Sequence, residues 1–263
     1  MKVGFIGLGN VGGKLAGSLL RNGFDLTVRD LDRNLAEPFL AKGAHWAESA
    51  EALARSVDLV VTCLPSPAAC SAVMEGEDGV LKAMGPGKIW AEMSTTDADE
   101  MARIAKLVQA TGAAAIECPV SGGCHRAATG NISIFAGCER STFDRILPLL
   151  TVLGRRVLHT GPLGTASVLK VATNYLATAN LITLSEALTT MAAAGIDLAF
   201  LKRAHSSWFN SRFSRTSDSL ILIAGVDTRF VPWRPYSSTH SKSDPKFPNT
   251  RKPFAVRLIR LWR

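Results

Sequence analysis

MKVGFIGLGNVGGKLAGSLLRNGFDLTVRD, residues 1–30, is the stretch from which the rest of this chain is read. Lys2 to Ile6 is short, apolar and β-prone, and Gly7, Gly9 and Gly12 follow in the order G-x-G-x-x-G. Leu15, Ala16, Leu19 and Leu20 then share one face at helical spacing, and Asn22-Gly23 supplies the left-handed residue that closes a helix. Phe24 to Arg29 reads as a second strand ending at Asp30. A glycine triplet alone is a turn. Strand, glycine turn, helix, strand and terminal acid in that order form a dinucleotide-binding fingerprint.

Each residue type in it has a task. Gly7 permits the tight turn, Gly9 has no Cβ to hold off a pyrophosphate, and Gly12 lets the helix close on the strand. With Leu8, Asn10 and Val11 they make a loop whose free N–H groups, backed by the helix dipole, face phosphate. Asp30 stands where a carboxylate accepts from the ribose hydroxyls and repels a 2′-phosphate. The expected cofactor is therefore NAD, with NADP as the alternative that the flanking Arg29 and Arg33 would favour.

Beyond Asp30 helix and strand patterns alternate. Helices are expected over Asn34–Lys42, Ser49–Arg55, Ala68–Met74, from Thr96-Asp97 to Ala110, and Ser141–Leu149. Strands are expected over Ala44–Trp46, Val57–Leu64, Lys88–Met93, Ala113–Glu117, Asn131–Ala136 and Arg156–His159. The fold class is α/β: a Rossmann-type, doubly wound, mostly parallel sheet over residues 1–162, with its ligand at the carboxyl ends of the strands. Leu64-Pro65, Ser94-Thr95 and Val120-Ser121 sit at such ends. From Thr165 the alternation stops. One long helix runs from Ser167 to about Ala194, broken by Gly195, and a second is expected to begin in Phe200–Ser207, so that 163–205 reads as an interdomain helix and an incomplete all-helical domain.

With 47% hydrophobic residues the chain needs no disulfide or metal staple to fill a core. Its five cysteines form no C-x-x-C pair, as expected of reduced thiols in a cytoplasmic protein, and no metal site is expected. A first strand beginning at Lys2 leaves no room for a targeting peptide ahead of it, and polar residues interrupt the most apolar run, Val171–Leu201, so no membrane span is expected. The net charge of +8 is unevenly placed: residues 1–201 carry 17 Lys/Arg against 19 Asp/Glu, residues 202–263 carry 13 against three. The basic segment 206–263, with five prolines and no helical period, is expected to be poorly ordered, as an out-of-frame or mis-spliced tail would be. Trp233, Tyr236 and Phe247 could stack on bases, but no nucleic-acid motif accompanies them and no nucleic-acid partner is expected.

Lys170 and Asn174 lie four apart on the long helix, one turn from each other on the same face. Spacing alone leaves open a snorkelling lysine beside a satisfied asparagine, or a working pair. Four segments in order, GFIGLGNVG at 4–12, CLP at 63–65 with EMSTTD at 92–97, CPVSGGCHRAATGNIS at 118–133 and GPLGTASVLKVATN at 161–174, resemble the β-hydroxyacid dehydrogenases over about residues 1–205. The resemblance implies oxidation of a small carboxylate such as 3-hydroxyisobutyrate, with Lys170 as general acid/base. It implies that Asn174 and the Ser121-Gly122-Gly123 loop hold the substrate, and that Leu64, Pro65 and Thr95 line the nicotinamide and its ribose. It also implies a homo-oligomer. An NADP-dependent semialdehyde reductase and a nucleotide-binding protein of little turnover are the alternatives. Val11, Ala69, Ala166 and Thr173 depart from the family's usual residues, and His125 and Arg126 are unusual beside the glycine loop.

Overall fold

The strands alternate between two apolar layers, and the alternation can be followed residue by residue in the computed structural model, which describes residues 1–197. From β1 (Val3–Ile6), Val3 and Phe5 enter one core and Ile6 the other. From β4 (Leu59–Thr62), Leu59 and Val61 enter the first and Val60 the second; from β5 (Ile89–Glu92), Ile89 and Ala91 face away from Trp90. Two-sided burial requires helices on both faces. On one lie α1 (Gly12–Arg21) and α7 (Arg140–Leu153), through Leu15, Leu19, Ile146 and Leu150. On the other lie α3 (Ala50–Ser56), α4 (Pro67–Glu75) and α5 (Ala98–Ala110), through Leu53, Met74, Met101 and Val108.

The remaining strands are β2 (Leu26–Arg29), β3 (His45–Trp46), β6 (Ala114–Glu117), β7 (Val120–Ser121), β8 (Ile132–Gly137) and β9 (Gly154–Gly161). Their order is β3-β2-β1-β4-β5-β6-β8-β7, with β9 paired to β8. Every pair from β3 to β6 is parallel; β8 runs antiparallel to β6 and β7, and β9 parallel to β8. This is the expected doubly wound, mostly parallel sheet. The chain winds one way from β1 to β2 and the other from β1 to β4, so the glycine turn after β1 opens at the switch point.

Two details differ from expectation. The single helix over 34–42 is instead a 3-10 turn, Arg33–Leu35, followed by the four-residue α2 (Glu37–Leu40). Pro38 has no N–H to continue the earlier turn and sits in the first turn of the second. After β7 the chain forms a six-residue helix, α6 (Gly123–Ala128), that is absent from the helices expected above.

The long helix is present as α8 (Thr165–Ala193), with Gly195 at φ +80° just beyond it. Contacts divide the chain into two units, Met1–Tyr175 and Leu176–Arg263. The first holds the sheet, its flanking helices and the root of α8. Of the second, the rest of α8 and the turn to Asp197 are described. The helix expected in 200–207 and the basic segment 206–263 lie outside the described residues.

Candidate active site

The glycine turn is closed on its own backbone. Gly7 has φ +100°, and a Cβ there would lie 2.3 Å from the carbonyl oxygen of Cys63; a Cβ on Gly12 would lie 2.0 Å from that of Gly7. Neither position has room for a side chain. At Gly9 nothing comes within 4 Å of where a Cβ would stand, so that face of the loop is open. Gly7 N–H donates to Arg29 O at 3.0 Å. The N–H groups of Asn10 and Val11 have no acceptor among the described residues, and α1 starts with neither a side-chain cap nor an acidic residue in its first turn. Unclaimed donors beside an open glycine at a helix N-terminus fit a pyrophosphate.

Asp30 joins this turn. Its Oδ2 accepts from Leu8 N–H at 2.6 Å and its Oδ1 from Asp32 N–H at 3.1 Å, which fixes the carboxylate at the end of β2. Both neighbouring arginines are engaged with Trp46, Arg29 at 5.7 Å and Arg33 at 5.4 Å from the ring centroid. Arg29 also donates to Ala47 O, and Arg33 pairs with Glu48 at 3.4 Å.

At the ends of β4 and β5, Leu64 N–H donates to Ser94 Oγ at 2.7 Å, holding the Leu64-Pro65 and Ser94-Thr95 loops together; Pro65 and Thr95 are exposed. Behind them Glu92 is buried and accepts from Thr62 Oγ1 at 2.7 Å, Cys70 Sγ at 3.0 Å and Ser94 N–H at 2.6 Å. Trp90 Nε1 completes the network on Thr62 at 2.9 Å. Burial pushes the Glu92 carboxyl up and these donors pull it back only in part. Burial also pushes the Cys63 thiol up to about 12, with the Glu92 charge adding to it, which disfavours the thiolate.

In the Ser121-Gly122-Gly123 loop the two glycines have φ +131° and +79°, and the loop leads into α6 without a side-chain cap. The N–H groups of Gly122 and Gly123 have no acceptor among the described residues. Successive outward amides of this kind form an anion-binding concavity. His125 is exposed on α6.

Lys170 is only 8% exposed, and its Nζ donates to Asn174 Oδ1 at 2.8 Å. Burial lowers its pKa from the usual lysine range. Among the described residues no hydrogen bond joins Lys170 or Asn174 to Ser121, Gly122 or Gly123. What fixes the start of this helix is Glu117, the last residue of β6, with no exposed surface. Its carboxylate accepts from Ala166 N–H at 2.7 Å, Ser167 N–H at 3.1 Å and Ser167 Oγ.

Residues 2–161 match the model of the NAD-binding domain of 6-phosphogluconate dehydrogenase. The chain is 36% identical over 198 residues to a Dictyostelium discoideum protein named "Probable 3-hydroxyisobutyrate dehydrogenase, mitochondrial", covering 74% of this chain and 61% of that one. It is 32% identical over 200 residues to the NAD-dependent L-serine dehydrogenase of Pseudomonas aeruginosa, covering 76% of this chain and 67% of the relative. The chain belongs to the β-hydroxyacid dehydrogenase family. It spans about three fifths of the length of the first of these relatives. Among solved structures of similar fold, Psf3 in complex with NADP+ and 2-OPP superposes with a TM-score of 0.76 at 27% identity, over 85% of this chain and 79% of that one. Residues 2–161 of this family member are thus a nicotinamide-dinucleotide domain, for NAD or NADP.

Glu92 and Glu117 are the residues that sequence reasoning missed. Each is an acid ending an otherwise apolar strand run, IWAE and AAIE, and that misplaced charge was the available signal.

Proposed function

We propose that this β-hydroxyacid dehydrogenase family member oxidises small β-hydroxy acids with NAD, and that Lys170 carries the hydroxyl proton. The observation that supports it most is the buried Lys170 amine held by Asn174, one turn beyond a helix root pinned to the carboxyl edge of the sheet. 3-Hydroxyisobutyrate and L-serine, the substrates in the two relatives' names, share the fragment HOCH2–CH–COO⁻. Such a molecule needs donors for its carboxylate and an acceptor for its hydroxyl proton. The Gly122 and Gly123 amides suit the first task, beside Ser121. A bound nicotinamide supplies the acceptor for the hydride that leaves the carbinol carbon. Lys170 takes the hydroxyl proton as the neutral amine and returns it in reduction, and burial favours that neutral form nearer working pH. Oxidation should therefore rise with pH as Lys170 loses its proton, and reduction should fall.

The preference for NAD is supported by Asp30, the acid at the end of β2 that would repel a 2′-phosphate and is held by the Leu8 and Asp32 N–H groups, while Arg29 and Arg33 are already engaged. Leu64, Pro65 and Thr95 border the nicotinamide end. The five cysteines are free thiols, which suits a reducing compartment, and we assign the cytoplasm. No described helix is long and apolar enough to cross a membrane. A panel of 3-hydroxyisobutyrate, L-serine and hydroxy acids with the alcohol at other positions, assayed with NAD and NADP, tests this reading. Turnover of the first two with NAD at least about tenfold ahead of NADP is expected. Absence of turnover across the panel with both cofactors would contradict it.

A further inference from the structure

We propose that Glu117 is a positioning residue for Lys170: its buried carboxylate sets the origin of α8 against the sheet and so aims the lysine amine. The proposal rests on the role given to Lys170 above. A helix start leaves its first N–H groups unpaired, and an anion there is favoured by both hydrogen bonding and the helix dipole. Where α3, α4 and α5 carry a side-chain cap, it is local. Ser49, Ser66 and Asp97 each accept from an N–H three residues on, inside the helix they begin. α8 is capped from a different element, by a residue 49 and 50 positions earlier that ends a central strand. Such a cap does more than stabilise a helix. It ties the helix axis and rotation to the strands that also carry the glycine turn.

Two further residues are shaped around this contact. Gly137 is the cross-strand partner of Glu117, and a Cβ there would lie 2.3 Å from Glu117 Oε1, so only glycine leaves the carboxylate its place. Ser167 gives Glu117 both its N–H and its hydroxyl, and Lys170 follows three residues later on the same face. A carboxylate this deeply buried is tolerated only because three donors meet it. If α8 turned or slid at its root those donors would be lost, so the cap admits one placement of Lys170.

The test compares the full chain with its Glu117→Gln and Ser167→Ala variants, the second removing one donor with little risk to folding. Three quantities are read: amide hydrogen exchange of the 165–170 segment, the rate of Lys170 acylation by acetic anhydride across pH, and kcat separately from NADH affinity. For Glu117→Gln, exchange at the root of α8 should quicken roughly tenfold, the size expected for losing a charge-assisted cap. The pH profile of Lys170 acylation should shift and kcat should fall by a similar factor, with NADH affinity unchanged. Ser167→Ala should move each in the same direction by less. Faster exchange with the acylation profile and kcat both unchanged would make Glu117 a purely structural cap and overturn the proposal, as would no change in exchange. If even the unaltered protein shows no turnover, shifted acylation and exchange still support positioning, while the dehydrogenase reading is what fails.

Discussion

Two helix starts in this molecule treat the same chemical problem in opposite ways. At α1 the Asn10 and Val11 amides just ahead of the first turn have no acceptor among the described residues, the cap position holds Val11, and the neighbouring glycine faces open space. At α8 the opening amides are claimed by Glu117, a carboxylate brought in from the middle of the sheet. An open start offers its dipole and donors to an external anion; a plugged start cannot bind one, but it holds the helix still. The first suits a pyrophosphate and the second suits a side chain that must be aimed. Both stand at the carboxyl edge of one sheet, where β1 and β6 end.

The contrast can be broken most severely at the open end. Gly12→Val places a side chain 2.0 Å from the Gly7 carbonyl, so NADH affinity by fluorescence titration should fall by at least about 100-fold, beyond any loss of folded protein seen by circular dichroism. Retained affinity would mean the turn is not the phosphate site. A gentler change turns the open start into a plugged one. Val11→Asp places an internal anion at the cap position of α1, in competition with an external one, so the melting temperature should rise, by about 0.5–1 kcal/mol of stability, while NADH affinity drops roughly tenfold. Parallel movement of both quantities would argue against the competition. The smallest effect is expected beside Lys170. Asn174→Asp keeps an acceptor but adds a charge, raising the amine's pKa, so the alkaline rise of oxidation should move up by about one pH unit. A profile that stays in place would separate Asn174 from the proton carrier.

How much of this could be read beforehand follows from where the information lies in the chain. The glycine turn was legible because its chemistry is local: Gly7, Gly9, Gly12 and Asp30 each state a backbone requirement through residue type. The two-layer sheet was legible from runs such as VDLVVTCL, apolar on both faces. Lys170 and Asn174 were legible as a pair, since helical spacing brings residues four apart together. Glu117 was not, because its partners lie 49 and 50 residues away and no period encodes such a meeting. The same holds for Glu92, two of whose donors, Thr62 and Cys70, lie 30 and 22 residues away. The split of the helix near Pro38 was visible in principle, since proline cannot continue a turn begun before it. β7 and α6, of two and six residues, are too short to show a period, and the reversed direction of β8 leaves no mark in strand composition.

The central claim, that the amine of Lys170 moves the proton while the glycine turn holds the cofactor, is tested most directly by Lys170→Ala. Oxidation of 3-hydroxyisobutyrate and L-serine with NAD would be measured beside NADH affinity in both proteins. The account predicts a fall in kcat of about 10²–10⁴ with NADH affinity changed by less than about twofold, the signature of a lost general acid/base. Equal turnover in the variant and the unaltered protein would contradict it.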